Sequence, residues 1–176
     1  MTQDTNAEVL EGERCPFCLK NTLTLRQAER DVPYFGKLIL FSMNCEDENC
    51  DYFVSDVEAE ESKGKVKCSF TVESEDDLKV RVIKSSTAKI TIPRITTIEP
   101  TDNSSGYVTN IEGILNRVKK QIENVRDTSD DNAEKKKAKN LIKKLTKILW
   151  GQESITISLE DPHGNSSIIS EKTVFK

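Results

Sequence analysis

A mainly β chain carrying one inserted α-helical hairpin is the architecture this sequence predicts, and three observations predict it. Two cysteine pairs, CPFC (Cys15, Cys18) and CEDENC (Cys45, Cys50), bracket β-type runs near the start. Short stretches of alternating apolar and polar residues then recur at 65–73, 78–84, 88–100 and 154–160. Between them, from Thr109 to Trp150, the period changes to that of helices.

The first pair is C-x2-C and the second C-x4-C, with 26 residues between them. A tetrahedral zinc ion needs four ligands, thiolates suit it, and both spacings fall within those of zinc knuckles. The intervening residues include two strand-like runs, TLTLR (22–26) and KLILFSMN (37–44), and a hairpin of that length brings two knuckles together. So small a segment has too little core of its own, and a metal would supply much of its stability. The reading is one structural zinc ion held by Cys15, Cys18, Cys45 and Cys50, because four cysteines leave no open ligand position. Glu46, Asp47 and Glu48, in the gap between the second pair, are expected to face solvent. Cys68 lies on the apolar side of an alternating strand and reads as a buried small hydrophobe.

The remaining elements follow in order. Residues 1–13 read as a flexible acidic lead-in, 14–58 as the zinc ribbon, and 58–65 (EAEESKGK) as the link into a second domain over 59–176. In KVKCSFTVE, Val66, Cys68, Phe70 and Val72 share one face. In LKVRVIK, Leu78, Val80 and Val82 point inward, and 88–100 reads as one run with Ile90, Ile92 and Ile95 inward. Ile111, Ile114, Leu115, Val118, Ile122 and Val125 form one helix face, with Thr109 or Asn110 as its cap. A polar turn (126–132) leads to a second helix with Ala138, Leu141, Ile142, Leu145, Ile148 and Leu149 on one face, closed by Gly151. Strands return at 154–160 and 167–170 around the turn EDPHGNSS.

Charge is unevenly spread. Residues 1–61 carry 14 acids against 5 bases, a net −9, whereas 101–150 carry 7 against 11, a net +4. The acidic front end repels phosphates and argues against a nucleic-acid grip there. The second helix presents Lys135, Lys136, Lys139, Lys143 and Lys147, a patch for RNA or an acidic partner, to be weighed against a merely solvated helix face. One histidine, His163, and no phosphate-binding G-x-x-x-x-G-K-[ST] motif point to a non-enzymatic protein without a small-molecule substrate. No run reaches the ~18 apolar residues of a membrane span, and the start lacks a signal-peptide pattern, so the expectation is a cytoplasmic protein.

Several stretches together resemble one family. CPFC, VPYFGKLILFSMNC and CDYFVSDVEA resemble the zinc finger of the ZPR-one zinc-finger family. DLKVRVIKSSTAKITIPRI, GYVTNIEGILNRVKKQI and LEDPHGNSSI resemble its second part in order and spacing. The resemblance implies a zinc ribbon followed by a double-stranded β-helix (β-barrel-like) with the helical hairpin inserted at about 109–150. It implies a single-module member like those of archaea. It also implies a chaperone or biogenesis role toward translation elongation factor one-alpha. Tyr34, Phe35, Glu112, Asp161 and Asn165 are the partner-contact candidates, the two aromatics read equally as interface anchors or as core packing of a small module, and the others taken from the resemblance. The departure from the family pattern is the second knuckle, where four residues rather than two separate the cysteines.

Overall fold

The computed structural model describes residues 7–33, 35–61 and 64–176. Four antiparallel strands, β1 (Ala7–Glu13), β2 (Leu23–Val32), β3 (Gly36–Cys45) and β4 (Phe53–Ala59), form the first sheet in sequence order. The long β2–β3 hairpin pairs Leu23 with Cys45 at one end and Val32 with Gly36 at the other. Gly36 has a φ of 104°, which a side chain would resist, so the tight turn after Pro33 uses the residue that tolerates it. The expectation of a flexible lead-in is corrected for residues 7–13. They pair with β2, Ala7 opposite Ala28 and Leu10 opposite Leu25. All seven are exposed, so burial leaves no alternating signature in the sequence. Residues 1–6 lie outside the described residues. Two of the residues assigned to the link, Glu58 and Ala59, instead complete β4, and Ser62 and Lys63 lie outside the described residues.

The second unit holds two further sheets. β5 (Val66–Val72), β7 (Lys89–Ile92), β8 (Thr96–Ile98), β10 (Ile155–Asp161) and β12 (Val174–Phe175) order as β12-β5-β10-β7-β8. β6 (Arg81–Lys84), β9 (Tyr107–Asn110) and β11 (Ser167–Ile169) order as β11-β6-β9. The double-stranded β-helix takes the form of facing sheets rather than a closed barrel, which corrects the barrel-like expectation. One core joins Phe70, Ile90, Ile157 and Leu159 of the larger sheet to Val82 and Ile168 of the smaller.

Two expected strands are shorter than the apolar pattern suggests. Residues Asp76–Lys79 form a 3-10 turn, so the strand begins only at Arg81. The cause is Asp77, a buried carboxylate that accepts from the Glu73 and Ser74 amides and from Lys172. Leu78 is buried all the same, by the turn. The run over 88–100 is a hairpin, reversed at Pro93–Arg94, where Arg94 has a φ of 63°.

The helical hairpin is α1 (Ile111–Thr128) and α2 (Asn132–Leu149). Asn110 caps α1 by accepting from the Gly113 amide, and Gly151, φ 64°, ends α2 by donating to the Ile148 carbonyl. Ile111, Ile114, Leu115 and Val118 meet Leu145 and Ile148 in the sandwich core, so the insertion is part of the fold's interior. Each such buried side chain contributes about 1.5–3 kcal/mol. A second core locks the ribbon to the sandwich: Leu38 and Val57 of the first sheet pack with Phe35 against Ile83 and Ile169.

Candidate metal centre

The hairpin register builds the centre. Cys45 is the last residue of β3, and its pairing with Leu23 sets it beside the turn holding Cys15 and Cys18. That turn closes through Leu19 N–H donating to the Cys15 carbonyl (2.9 Å) and Cys15 N–H to the Lys20 carbonyl (2.8 Å). The widened second knuckle closes through Cys50 N–H to the Asp47 carbonyl (2.9 Å) and Cys45 N–H to the Tyr52 carbonyl (3.0 Å).

The four sulfurs lie within 4.8 Å of one another, with Cys15 to Cys50 at 3.9 Å and Cys18 to Cys45 at 3.7 Å. A zinc ion with Zn–S bonds of about 2.3 Å needs tetrahedral edges of about 3.8 Å, so the donor set fits the ion. All four cysteines are free thiols, and three are buried, Cys18 partly so. Leu23, Leu25, Met43 and Tyr52 surround them.

Local hydrogen bonds favour charge on one sulfur and burial opposes it on another. The Thr22 hydroxyl at 3.2 Å, then the Asp47 amide, lower the Cys45 thiol to about 7. The Tyr52 amide pulls Cys50 the same way, but burial and the three neighbouring thiols outweigh it and push it up to about 12. A divalent cation at the centre removes that penalty and favours four thiolates. With four sulfur ligands the tetrahedron is closed and the ion is structural. Among the described residues the metal-competent group contains no carboxylate.

Glu46 and Glu48 of the acidic gap are exposed, as expected, whereas Asp47 is half-buried. Asp47 is ion-paired with Lys20 and accepts from the Asn49 amide at 3.1 Å, while Glu46 accepts from the Thr24 hydroxyl at 2.8 Å. The insertion thus ties the second knuckle to the first.

The expected partner contacts are dispersed. Tyr34 lies outside the described residues. Phe35 is only 6% exposed and fills the ribbon–sandwich core, so its ring is not a surface anchor. Asp161 is fully buried at the end of β10. Burial pushes its carboxyl up, but Ser166 (2.5 Å), the His163 amide (2.9 Å), Ser85 (2.8 Å) and Thr87 (3.0 Å) outweigh it and hold it below the usual range. Asn165 turns inward and accepts from the Ala59 amide at 3.2 Å. Glu112 is exposed in the first turn of α1, and His163 is exposed on its turn. Lys136, Lys139, Lys143 and Lys147 form an exposed stripe on α2, with Lys135 half-buried beside it.

Sequence reasoning missed the polar seam between the two units. Asp56 of β4 accepts from the Ser86 amide (2.7 Å) and from the Ser86 hydroxyl, and Gly106 N–H donates to the Ser55 carbonyl (2.8 Å). Lys84 is buried beside this seam, donating to the Ser85 carbonyl at 2.9 Å, and burial pushes its ammonium down. The clustered Ser85, Ser86 and Thr87 with Gly106 were its only trace in the sequence.

Comparison with known proteins agrees with this architecture. The family model of the ZPR1 jelly-roll domain matches residues 76–174. An uncharacterised ZPR1-like protein of Methanocaldococcus jannaschii is 38% identical over 89% of this chain and 79% of its own length. One from Pyrococcus horikoshii is 33% identical over 90% and 72%. The zinc finger chaperone Zpr1 of Schizosaccharomyces pombe is 30% identical over 88% of this chain, which spans 33% of that protein. With a jelly-roll match over more than half its length and archaeal relatives matched across most of theirs, this chain belongs to the ZPR1 family, as a single-module, archaeal-like member.

Proposed function

We propose that this protein is a chaperone or biogenesis factor that transiently captures the translation elongation factor one-alpha GTPase during its folding. The observation that carries the reading is the closed four-cysteine centre, a structural device that holds a binding surface rather than a reacting group. The relative named a zinc finger chaperone supports the direction. Zinc-binding and protein interaction are the family-level role. The elongation factor as client, a cytoplasmic location and the lack of catalysis belong to this proposal. No helix among the described residues is long and apolar enough to cross a membrane, which is consistent with it. The test is a pull-down from native lysate of the source organism with zinc-replete bait. Recovery of the elongation factor in newly made, nucleotide-sensitive form is expected, and its absence contradicts the reading.

A second reading is supported by the lysine stripe of α2, whose members Lys136, Lys139, Lys143 and Lys147 have no ion pair among the described residues. It is binding to RNA or a ribosomal surface. RNA affinity that falls steeply with salt, and is abolished by reversing the charge of Lys139 and Lys143, would favour it over the first.

A further inference from the structure

We propose that the cleft between the first cysteine knuckle and the 102–105 loop receives an arginine side chain borne on an exposed segment of a protein partner. The inference rests on the protein-partner reading above but not on which protein is bound. The cleft encloses about 500 Å³ and is lined by Phe17, Asp51, Tyr52, Phe53 and Asp102, among others. Phe17 is 75% exposed and Phe53 56%. One exposed aromatic is ordinary, but two lining the same concavity mark a recognition surface.

Both rings stand on fixed backbone. Phe17 sits between two metal-ligating cysteines, on the turn closed by the Leu19-to-Cys15 and Cys15-to-Lys20 bonds. Phe53 opens β4 and pairs with Asn44. The facing wall is equally held. Ser104 N–H donates to the Thr101 carbonyl at 2.9 Å, Thr101 N–H to the Ser104 hydroxyl at 2.8 Å, and Gly106 clasps β4. A cleft formed before binding costs little ordering entropy when filled.

Charge selects the occupant. Asp51 and Asp102 line the cleft, both exposed, and neither has an ion pair among the described residues. The residues named as lining the cleft include no base, and the first 61 residues are net −9. An aromatic face beside a carboxylate matches a guanidinium, which stacks flat on the ring and forks to the two oxygens. A lysine satisfies the charge without the planar stack, and a phosphate backbone is repelled.

The test titrates the zinc-loaded full chain with a short capped peptide carrying one arginine between leucines, followed by amide NMR shifts. Parallel peptides replace that arginine with lysine or glutamine. Shifts should centre on residues 17, 51–54 and 102–105, weaken with lysine and vanish with glutamine. Phe53→Ala and Asp102→Asn, both outside the metal ligands, should each weaken binding about two- to thirty-fold. Equal binding of the glutamine peptide, or shifts centred on α2, overturns the proposal. Two outcomes separate it from the functional reading. If the Phe53→Ala, Asp102→Asn double variant captures the elongation factor and still binds the arginine peptide as tightly as the unaltered chain, the cleft assignment falls and the function stands. If the unaltered chain binds the arginine peptide at the cleft but captures no elongation factor, the function falls and the cleft stands.

Discussion

The two ends of this molecule are held by different physics. The sandwich domain buries Phe70, Ile90, Ile157 and Leu159 with one face of the helical hairpin, a core that needs no cofactor. The knuckle end has Leu23 and four cysteines, with Leu25, Met43 and Tyr52 only partly covered. At the knuckle end the metal replaces a hydrophobic core that the chain cannot build. Between the ends, the Leu38–Ile83 core and the Asp56–Ser86 seam couple the ribbon to the sandwich.

The largest effect should come from removing zinc. Structural zinc contributes about 10–16 kcal/mol in small zinc-finger peptides. Hydrogen exchange of the chelated protein should show lost protection in residues 14–25 and 43–53 and retained protection in β10. Simultaneous loss in β10 would break the comparison. Phe70→Ala, at 1% exposure, should do the reverse. It should cost about 3–5 kcal/mol in denaturant unfolding of the sandwich while zinc content stays unchanged.

Gly106→Ala probes the seam. A Cβ there would lie 2.0 Å from Asp56 Oδ1 and 2.8 Å from the Val57 nitrogen, and the backbone of β4 cannot yield as a side chain could. The expected cost is about 1–3 kcal/mol, read as faster exchange in β4 and β9 with both cores intact. Equal destabilisation of α2 would mean that the seam does not act locally.

The smallest effect concerns acid. Asp161 is held below the ordinary carboxylate range, so its contribution is present above the unfolded-state value and is lost as pH falls through the folded one. Asp77, lowered first by the Glu73 amide, behaves alike. Asp161→Asn should cost about 1–2 kcal/mol at neutral pH and flatten the decline of stability below about pH 4. An unchanged acid limb would remove Asp161 from the account.

What was legible in the sequence follows from how each element is held. The hairpin helices show a period because one face is buried, and the cysteine pairs show because the ion demands four ligands at set spacings. β1 was illegible because every residue is exposed, and its strand exists only through hydrogen bonds to β2. The 3-10 turn at 76–79 was hidden because Leu78 and Val80 alternate as a strand would, while Asp77 decides the geometry. Phe35, Asp161 and Asn165 looked like turn residues available to a partner. The Leu38–Ile83 core takes in Phe35, the hydroxyls of 85, 87 and 166 hold Asp161, and the Ala59 amide holds Asn165. The Thr22–Cys45 and Lys20–Asp47 contacts depend on hairpin register, which residue types alone do not specify. The cleft of Phe17 and Phe53 joins residues far apart in the chain for the same reason.

X-ray absorption at the zinc edge of the purified protein, with metal content measured on the same sample, reads the cysteine shell itself. The account predicts one zinc per chain surrounded by four sulfurs at about 2.3 Å. Substoichiometric zinc, or a shell in which an oxygen or nitrogen replaces any sulfur, would contradict it.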